Sequence, residues 1–378
     1  MSVAPILPGA TLGVMGGGQL GRMFVHAAQR MGYATAVLDA DESSPAGLIS
    51  QHHIRSGYLD EKGLAELARV SAAVTTEFEN VPAAALAKLA QSRPVAPGAE
   101  AVSIAQDRAR EKAHFTRCGV PCAPHAVIET ERDLAAVPDA LLPGVLKTSR
   151  LGYDGKGQVR VATRQELASA WSGLKGVPCV LEKLLPLAFE CSVIVARAHD
   201  GAMVHLPAQR NLHRNGILAV TEVHDGAVPE AQATQATAAA RKVAEGLQYT
   251  GVLCVEFFVL QDGALVVNEI APRPHNSGHW SMDGCDVSQF DLQVRTMAGL
   301  PLVAPRQHSP AIMLNLLGDL WFRAGDEERT PAWGDVLALP GTHLHLYGKE
   351  DARRGRKMGH LNVTGVTPGE VRQVALRA

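Results

Sequence analysis

Residues 252–270, VLCVEFFVLQDGALVVNEI, contain the clearest structural signal in the chain. The Asp262-Gly263 pair is typical of a two-residue turn, so the apolar runs on either side are predicted to form a β-hairpin. That turn places Glu256 opposite Glu269 on one face, where two like charges destabilise a sheet. A divalent cation would relieve the conflict, because Mg²⁺ takes oxygen ligands and completes its shell with phosphates and water. The alternative is a pair of carboxylates solvated at a sheet end, and Asn268 joins their face only through a bulge or twist.

A second signal is the glycine-rich stretch 145–158, VLKTSRLGYDGKGQ. A predicted strand with Lys147 runs into a loop with Gly152, Gly155 and Gly157, whose amides can surround phosphate oxygens. It is not a Walker A loop, since the strand VRVAT follows where a helix would be needed. The stretch is predicted to be a hairpin lid over a triphosphate, with an ordinary mobile loop as the alternative. Together with the carboxylate pair, it indicates Mg-ATP.

The N-terminal stretch 13–23, GVMGGGQLGRM, contains G-x-G-x-x-G. An NAD site is one interpretation, supported by Asp39 at the end of the second predicted strand, where a ribose-binding carboxylate would lie. A mononucleotide or phosphosugar site would use the same helix N-terminus. A tight turn without a ligand is the third interpretation. The pattern alone leaves all three open.

Composition limits the class of protein. The chain has 378 residues, 46% hydrophobic residues and a formal net charge of −2, so a large core is expected and a general affinity for nucleic acid is not. Its six cysteines form no C-x-x-C pair, which favours scattered reduced thiols over a disulfide or zinc framework. With no signal-like leader and no apolar run of about 18 residues, we expect a cytoplasmic enzyme without a membrane span.

The segments predict three regions. Alternating β and α segments over 1–98 indicate a doubly wound parallel domain, and a single helix is predicted over 99–118. Residues 99–305 mix helices and strands, and residues 306–378 contain short strands separated by Gly and Pro. The central region is predicted to include a long helix over 229–247 and an antiparallel block with strands at 190–198, 202–207 and 217–224.

Several motifs together carry a family resemblance. KTSRLGYDGKGQ, VEFF and NEIAPRPHNSGHW resemble the ATP-grasp superfamily. GGGQLGRM, TEFENV (76–81) and AQDRAREK (105–112) make the chain similar to the N5-carboxyaminoimidazole ribonucleotide synthetases of purine biosynthesis, from residue 11 to about 363. The resemblance implies an α/β fold, α+β in its central part: a Rossmann-like pre-ATP-grasp domain (1–98), an ATP-grasp domain (99–305) with a lid at about 120–185, and a small β-rich C-terminal domain (306–378).

The resemblance also implies a reaction. ATP phosphorylates bicarbonate to carboxyphosphate, and the amine of aminoimidazole ribonucleotide captures the carboxyl group, leaving ADP and phosphate. Mg²⁺ is the implied metal, with Mn²⁺ as a substitute, and a homodimer is expected, with no nucleic acid or membrane partner. The alternatives are another ATP-grasp ligase, such as a formate-dependent glycinamide ribonucleotide transformylase, an NAD-binding oxidoreductase, and a non-catalytic nucleotide-binding protein.

Site residues follow from matching the family motifs to this sequence. The implied metal ligands are Glu256 and Glu269. The implied ATP-binding residues are Arg108, Lys147, Gly152, Tyr153, Asp154, Gly155, Lys156, Gly157, Gln158, Glu182, Lys183, Leu184, Leu185, Glu190, His213, Asn268 and Glu269. The implied residues around the second substrate are Gly18, Gln19, Leu20, Glu77, Asn80, Arg273, His275, Lys349 and Arg356.

Five of these positions are the implied catalytic residues. Tyr153 and Asp154 of the lid loop approach the aminoimidazole, where Asp154 orients the attacking amine or acts as a general base. Arg273 and His275 lie beside the carboxyphosphate, and Lys349 joins Arg356 on the ribose phosphate. Because a ribose phosphate is strongly anionic, the C-terminal basic loop is expected to fold back onto the glycine turn.

Overall fold

The computed structural model describes residues 4–152, 157–323 and 327–378. The predicted site residues Tyr153, Asp154, Gly155 and Lys156 therefore lie outside the described residues. Within the described ranges, no helix combines the length and the apolar content that crossing a membrane requires.

The N-terminal domain is a parallel sheet with helices on both faces. In the described part of the chain it has four strands, in the order β3-β2-β1-β4. The two central strands, Thr11–Met15 and Ala34–Leu38, are mostly apolar because both faces of the sheet are covered. The strands are β1 (Thr11–Met15), β2 (Ala34–Leu38), β3 (His52–Ile54) and β4 (Ala73–Thr76), and the helices are α1 (Gln19–Arg30), α2 (Glu61–Val70), α3 (Ala83–Leu89) and α4 (Ala99–Ala105).

The single helix predicted over 99–118 is wrong. The chain forms α4 and then a separate helix, α5 (Arg108–Arg117). The Asp107 side chain accepts hydrogen bonds from the amides of Ala109 and Arg110, 3.1 and 3.2 Å away, and so caps the second helix. This break places Arg108 in the first turn of α5, facing the interior of the molecule.

The lid is a small antiparallel sheet with its own apolar core. Its described strands follow the order β5-β8-β6-β7. These strands match the segments that the sequence predicted, because each has a short apolar run bounded by turn residues. The elements are β5 (His125–Ile128), α6 (Glu131–Ala136), β6 (Gly144–Thr148), β7 (Gln158–Val161), α7 (Arg164–Gly173) and β8 (Cys179–Lys183).

The central sheet contains nine strands among the described residues, in the order β14-β13-β9-β11-β12-β15-β17-β16, with β10 paired to β9. Its strands are β9 (Leu187–Arg197), β10 (Met203–His205), β11 (Gln209–Arg214), β12 (Ile217–Val223), β13 (Gly251–Leu260), β14 (Leu265–Ala271), β15 (Ala311–Leu317), β16 (Thr342–Leu346) and β17 (Lys357–Thr364). The accompanying helices are α8 (Glu230–Gly246), α9 (Ser281–Gly284), α10 (Gln289–Ala298), α11 (Trp333–Leu337) and α12 (Pro368–Arg377).

Two features of this sheet differ from the predicted segments. The sequence prediction missed β11, which contains His213, because its polar sequence (QRNLHR) lacks the apolar pattern of a strand. The C-terminal strands do not form a sheet of their own, because β15 pairs with β12 and continues the central sheet. The C-terminal region is therefore joined to the site through backbone hydrogen bonds.

In the hairpin Glu256 is the cross-strand partner of Glu269, as predicted, but the turn and the register that produce this pairing differ from the prediction. The loop has three residues instead of two, since the amide of Leu260 donates to the carbonyl of Ala264 at 2.8 Å. A register shift after Glu256 then leaves Asn268 as the extra residue of a β-bulge. The bulge brings the two carboxylates back into register. It is also the bulge that the sequence analysis required for Asn268 to join the face of the carboxylates.

Candidate active site

A cleft of about 1290 Å³ opens between the lid, the central sheet, the glycine turn and the C-terminal basic loop. It gathers residues from all three regions of the chain. The predicted site residues that line it are Gln19, Leu20, Glu77, Asn80, Arg108, Lys147, Gly152, Gln158, Glu182, Lys183, Leu184, Leu185, Glu190, His213, Glu256, Asn268, Glu269, Arg273, His275, Lys349 and Arg356.

Two further predicted residues, Gly18 and Gly157, are not among the residues that line the cleft. The amide of Gly18 donates to the Glu77 carboxylate at 3.1 Å. Gly157 has a φ of +73° and packs beside Thr148, whose amide donates to the Gly157 carbonyl at 2.9 Å. A side chain at Gly157 would be strained by that φ and would meet the Thr148 hydroxyl.

The two carboxylates of the hairpin have different neighbours. The Arg108 guanidinium donates to Glu269 at 2.8 Å, while Nε2 of His275 lies 3.2 Å from Glu256. Burial and the facing charge of Glu269 raise the pKa of Glu256. Burial would also raise the pKa of Glu269, but the charges of Arg108 and Lys147 outweigh it and lower that pKa. The surroundings therefore favour the charged form of Glu269 and disfavour the charged form of Glu256.

The described residues fit a hard divalent cation. Asn268 Oδ1 is buried without a hydrogen-bond partner, at the bulge beside Glu269. An unpaired buried acceptor is costly, and a cation bound by oxygen atoms would satisfy it. Glu256, Glu269 and Asn268 supply the carboxylate and carbonyl oxygens that Mg²⁺ prefers.

Beside the carboxylates lies a buried chain of alternating charges. Nζ of Lys147 donates to Glu182 at 3.0 Å, and Nζ of Lys112 lies 3.3 Å from the other oxygen of Glu182. Lys112 also donates to the Asn268 carbonyl at 2.8 Å, which ties the lid strand to the bulge. Burial raises the pKa of Glu182, but the two lysines outweigh burial and lower it, so the carboxylate stays charged.

The sequence prediction missed Glu111 and Lys112, although it quoted the motif that contains them. They follow Arg108 by three and four residues, and that spacing places all three on one face of α5. The Glu111 carboxylate accepts from the amide of Ile270 at 2.7 Å, and burial raises the pKa of Glu111 to about 8. Helical spacing counted from Arg108 is the signal that would have found both.

On the two strands beyond β13 in the central sheet, Glu190 of β9 pairs with His213 of β11. Nδ1 of His213 lies 2.6 Å from the Glu190 carboxylate. Burial lowers the pKa of His213, but the hydrogen bond to Glu190 and the charges of Glu256, Glu190 and Glu269 together outweigh burial and raise it. At the end of β8, two backbone amides already have hydrogen-bond partners. The amide of Lys183 donates to the Pro124 carbonyl and the amide of Leu184 donates to the Pro143 carbonyl, both at 2.9 Å.

The glycine turn holds a carboxylate of its own chain. The Glu77 side chain accepts from the amides of Gly18 and Gly21, 3.1 and 3.0 Å away. These amides stand at the N-terminus of α1, where a dinucleotide pyrophosphate would lie. Asp39 accepts from Gly17 at 2.7 Å and from the Tyr58 hydroxyl at 3.2 Å, so the carboxylate that supported NAD is also engaged.

The segment after β14 brings Arg273 and His275 to the cleft. Arg273 forms an ion pair with Glu79. The sequence prediction did not include Glu79, although it included Glu77 and Asn80. Burial raises the pKa of Glu79, but the Arg273 guanidinium outweighs it and lowers that pKa. Burial and the charge of Arg273 hold the pKa of His275 well below its usual range, so the imidazole is neutral at neutral pH.

The basic C-terminal loop reaches the glycine turn, as the charge argument predicted. Tyr347 packs into the same apolar cluster as Leu20 of α1. Nζ of Lys349 donates to the Lys357 carbonyl at 2.6 Å, and Arg356 donates to the Asp351 carbonyl at 2.7 Å. Lys349 and Arg356 line the cleft together with Gln19 and Leu20.

Family models match three consecutive parts of the chain. The Ribonucleotide synthetase preATP-grasp domain matches residues 9–106, the ATP-grasp domain residues 113–290, and the Phosphoribosylaminoimidazole carboxylase C-terminal domain residues 311–374. These matches confirm the predicted fold class.

Individual proteins match over nearly the whole chain. N5-carboxyaminoimidazole ribonucleotide synthase of Brucella melitensis is 44% identical over 371 residues, 97% of this chain and 99% of the relative. The Staphylococcus aureus N5-carboxyaminoimidazole synthetase complexed with ADP has a TM-score of 0.91 at 34% identity, covering 100% of this chain and 98% of the other. The Aspergillus clavatus synthase in complex with ADP and 5-aminoimidazole ribonucleotide has a TM-score of 0.86 at 33% identity, covering 98% and 99%.

Proposed function

The chain belongs to the family of N5-carboxyaminoimidazole ribonucleotide synthases, and from that membership we propose how its residues divide the work of the reaction. The protein is an ATP-dependent carbon–nitrogen ligase of purine biosynthesis. It converts 5-aminoimidazole ribonucleotide to N5-carboxyaminoimidazole ribonucleotide and consumes ATP. The observation that carries the assignment of residues is the single cleft that Lys147, the Glu256–Glu269 pair and the Lys349–Arg356 loop share.

We propose that bicarbonate supplies the carboxyl group. A bicarbonate oxygen attacks the γ-phosphorus of ATP, the bond to the β-phosphate oxygen breaks, and ADP leaves. The resulting carboxyphosphate then transfers its carboxyl carbon to the exocyclic amine, directly or as CO₂ released inside the closed cleft. Phosphate leaves with the electron pair of the broken C–O bond, and the amine loses one proton.

ATP is proposed to lie between the lid and the central sheet. Lys147, held by Glu182, faces the phosphates together with Arg108. The amides of Lys183 and Leu184 already donate hydrogen bonds to proline carbonyls. Adenine contact is therefore assigned to the carbonyl groups at the end of β8 and to the Leu185 amide. Glu190, oriented by His213, is positioned to accept the ribose hydroxyls.

Glu256, Glu269 and Asn268 are proposed to hold Mg²⁺, and Mn²⁺ can substitute because it accepts the same oxygen ligands. When bound, the ion would neutralise charge on the phosphates of ATP. Arg108 and Lys112 keep this end of the hairpin in place, since they contact the Glu269 carboxylate and the Asn268 carbonyl.

The second substrate is assigned to the part of the cleft between the metal carboxylates and the C-terminal basic loop. Arg273, fixed by Glu79, and the neutral His275 are placed to donate hydrogen bonds to carboxyphosphate. Lys349 and Arg356 are assigned to the ribose phosphate, beside the cleft residues Gln19, Leu20, Glu77 and Asn80. The roles of Tyr153 and Asp154 stay predictions, because both lie outside the described residues.

The decisive experiment measures ADP release. We expect turnover with bicarbonate and aminoimidazole ribonucleotide, and only background release with formate and glycinamide ribonucleotide. Turnover with the second pair would instead identify the chain as a transformylase.

We also propose that the protein is a cytoplasmic homodimer. The cytoplasmic location is supported by six free cysteines, because structural disulfides are rare in reducing compartments. The homodimer is an expectation from the family, and light scattering coupled to size-exclusion chromatography checks it.

A further inference from the structure

Three side chains of different ligand chemistry converge at the hairpin. The Sγ of Cys254, a carboxylate oxygen of Glu256 and a ring nitrogen of His275 all lie within 4.8 Å of one another. Cys254 and Glu256 are alternate residues of β13 and therefore share one face of the strand. His275 comes from the segment after β14 and faces Glu256 from across the cleft floor. The reaction assigned above uses no thiol, so Cys254 is unexplained by it.

We propose that Cys254, Glu256 and His275 form a site for a thiophilic divalent cation, represented by Zn²⁺. When this ion binds Glu256, that carboxylate is no longer available to Mg²⁺. Zinc is bound by thiolate, imidazole and carboxylate at about 2.0–2.3 Å, and sites of three protein ligands keep a fourth position open. Ligand atoms in such a tetrahedron lie about 3.3–3.8 Å apart, so closing the present separations needs side-chain shifts of about 1 Å. Mg²⁺ has no comparable preference for sulfur.

The position of the His275 imidazole is fixed by Ser277. Nδ1 of His275 lies 2.9 Å from the Ser277 hydroxyl, and the Ser277 amide donates to the same nitrogen at 3.3 Å. The Ser277 hydroxyl is held in turn by Ser192, whose hydroxyl lies 2.8 Å away. Because the Ser277 amide donates to Nδ1, the neutral ring carries its proton on Nε2, so zinc binding at Nε2 requires that proton to move to Nδ1, where the Ser277 hydroxyl can accept its hydrogen bond. The other nitrogen, Nε2, is the one that faces Glu256.

The position of the thiol determines how the ion enters. Cys254 is fully buried, whereas Glu256 and His275 both line the cleft, so the ion arrives through the cleft and the thiol is its innermost ligand. Binding breaks the S–H bond of Cys254, forms a Zn–S bond and releases the thiol proton to solvent, while the imidazole proton moves from Nε2 to Nδ1. The fourth position faces the cleft and takes water. Zinc bound there occupies a carboxylate that the proposed reaction needs.

The full-length protein, stripped of metal, tests the site directly. Zn²⁺ affinity is measured by competition with a chromophoric chelator, and Cd²⁺ is added separately to detect the ultraviolet sulfur-to-cadmium charge-transfer band. We expect one site in the wild type, with the band. Because even outer partners of metal ligands contribute about 10–100-fold to affinity, Cys254→Ala should weaken Zn²⁺ binding by about 100-fold or more and remove the band.

Two further variants make the test specific. Cys191→Ala removes a buried cysteine from the opposite face of the same sheet, and it should keep both the affinity and the band. Cys254→Ser repeats the test with a side chain of similar size if the alanine variant unfolds. Absence of the band in the wild type, or unchanged zinc affinity in both Cys254 variants, would overturn the site.

Turnover separates this site from the proposed function. Zn²⁺ should inhibit wild-type ADP release at concentrations where Mg²⁺ is in large excess, and Cys254→Ala should raise the inhibitory concentration, each enzyme being compared with its own zinc-free rate. This consequence rests on the proposed role of Glu256 with Mg²⁺. Tight zinc binding with the charge-transfer band but without inhibition would contradict that role and leave the zinc site standing.

Discussion

Glu256 and Glu269 are direct cross-strand partners, yet their surroundings move their pKa values in opposite directions. Arg108 pairs with Glu269 and keeps it ionised, whereas Glu256 faces a neutral imidazole. A cation bound between them would favour the charged form of both carboxylates. The metal end of the cleft is therefore sensitive to the loss of a single charge.

Glu269→Gln should lower kcat for ATP turnover by about 100-fold or more, equivalent to about 2.7 kcal/mol of transition-state stabilisation. The amide keeps the shape of the side chain, so the fold should persist, but it removes the charge that holds the metal. ADP release measures the rate. Glu245→Gln, on the exposed surface of α8, is the matched control and should turn over normally. A near-normal rate for Glu269→Gln would contradict the metal assignment.

Titration with NAD and NADP should give no saturable binding at micromolar concentrations. The amides that would hold a pyrophosphate are donated to Glu77, and Asp39 is bonded to Gly17 and Tyr58. Tryptophan fluorescence or calorimetry serves as the measurement, with aminoimidazole ribonucleotide as the positive control. Tight NAD binding would show that Glu77 leaves the turn and would revive a dehydrogenase.

Arg356→Ala should raise KM for aminoimidazole ribonucleotide by roughly 10- to 100-fold, the scale of a lost charge-assisted hydrogen bond of about 1.5–3 kcal/mol. KM for ATP should change little, because the carboxylates and the lid are untouched. Arg377→Ala, exposed on α12, is the control for the loss of one arginine. An equal rise in both KM values would count against the phosphate role.

The pH profile of kcat/KM for aminoimidazole ribonucleotide should fall above about pH 8. Burial, followed by the charge of Arg356, lowers the pKa of Lys349 to about 8, so the ammonium is lost as the pH rises through that value. The profile of kcat/KM reports the free enzyme. Lys349→Arg keeps its charge above pH 8 and should extend the plateau. A wild-type profile that stays flat to pH 9.5 would remove Lys349 from the phosphate site.

Acid should destabilise the protein through buried histidines. His360 lies between His279 and His345, with ring centroids 4.6 and 4.5 Å away, and Asp283 bonds to His345 at 2.8 Å. Burial and the two neighbouring imidazoles hold the pKa of His360 well below 6.5. The unfolded chain therefore binds more protons below pH 6.5, and stability, which is full above that value, is lost as the pH falls.

Urea unfolding at several pH values measures this effect. His360→Gln should flatten the dependence by up to about 1.4 kcal/mol per pH unit, which corresponds to one proton. His52→Gln, at an exposed position, should leave the slope unchanged. Identical slopes for the wild type and His360→Gln would show that His360 does not take up the proton on unfolding.

The sequence by itself determined the features that depend on neighbouring residues. Alternating β and α segments predicted the parallel N-terminal sheet. The glycine-rich loop followed by a strand predicted a hairpin lid and not a Walker A loop, and Asp262-Gly263 predicted the hairpin. Periodicity and turn chemistry act over a few residues, so they are readable in one dimension. The motifs then narrowed the family, and with it the chemistry.

Only the tertiary structure decided the features that join distant residues. The Glu77 carboxylate accepts a hydrogen bond from the amide of Gly18, 59 residues earlier in the chain, and Arg273 pairs with Glu79 across 194 residues. The three-residue loop alone would set the register of the hairpin one residue differently, and the bulge at Asn268 brings Glu256 and Glu269 back into register. Electrostatic pairing and strand register depend on which surfaces meet, and no local pattern carries that information. For the same reason, Cys254 became a candidate ligand only when His275 was found beside it.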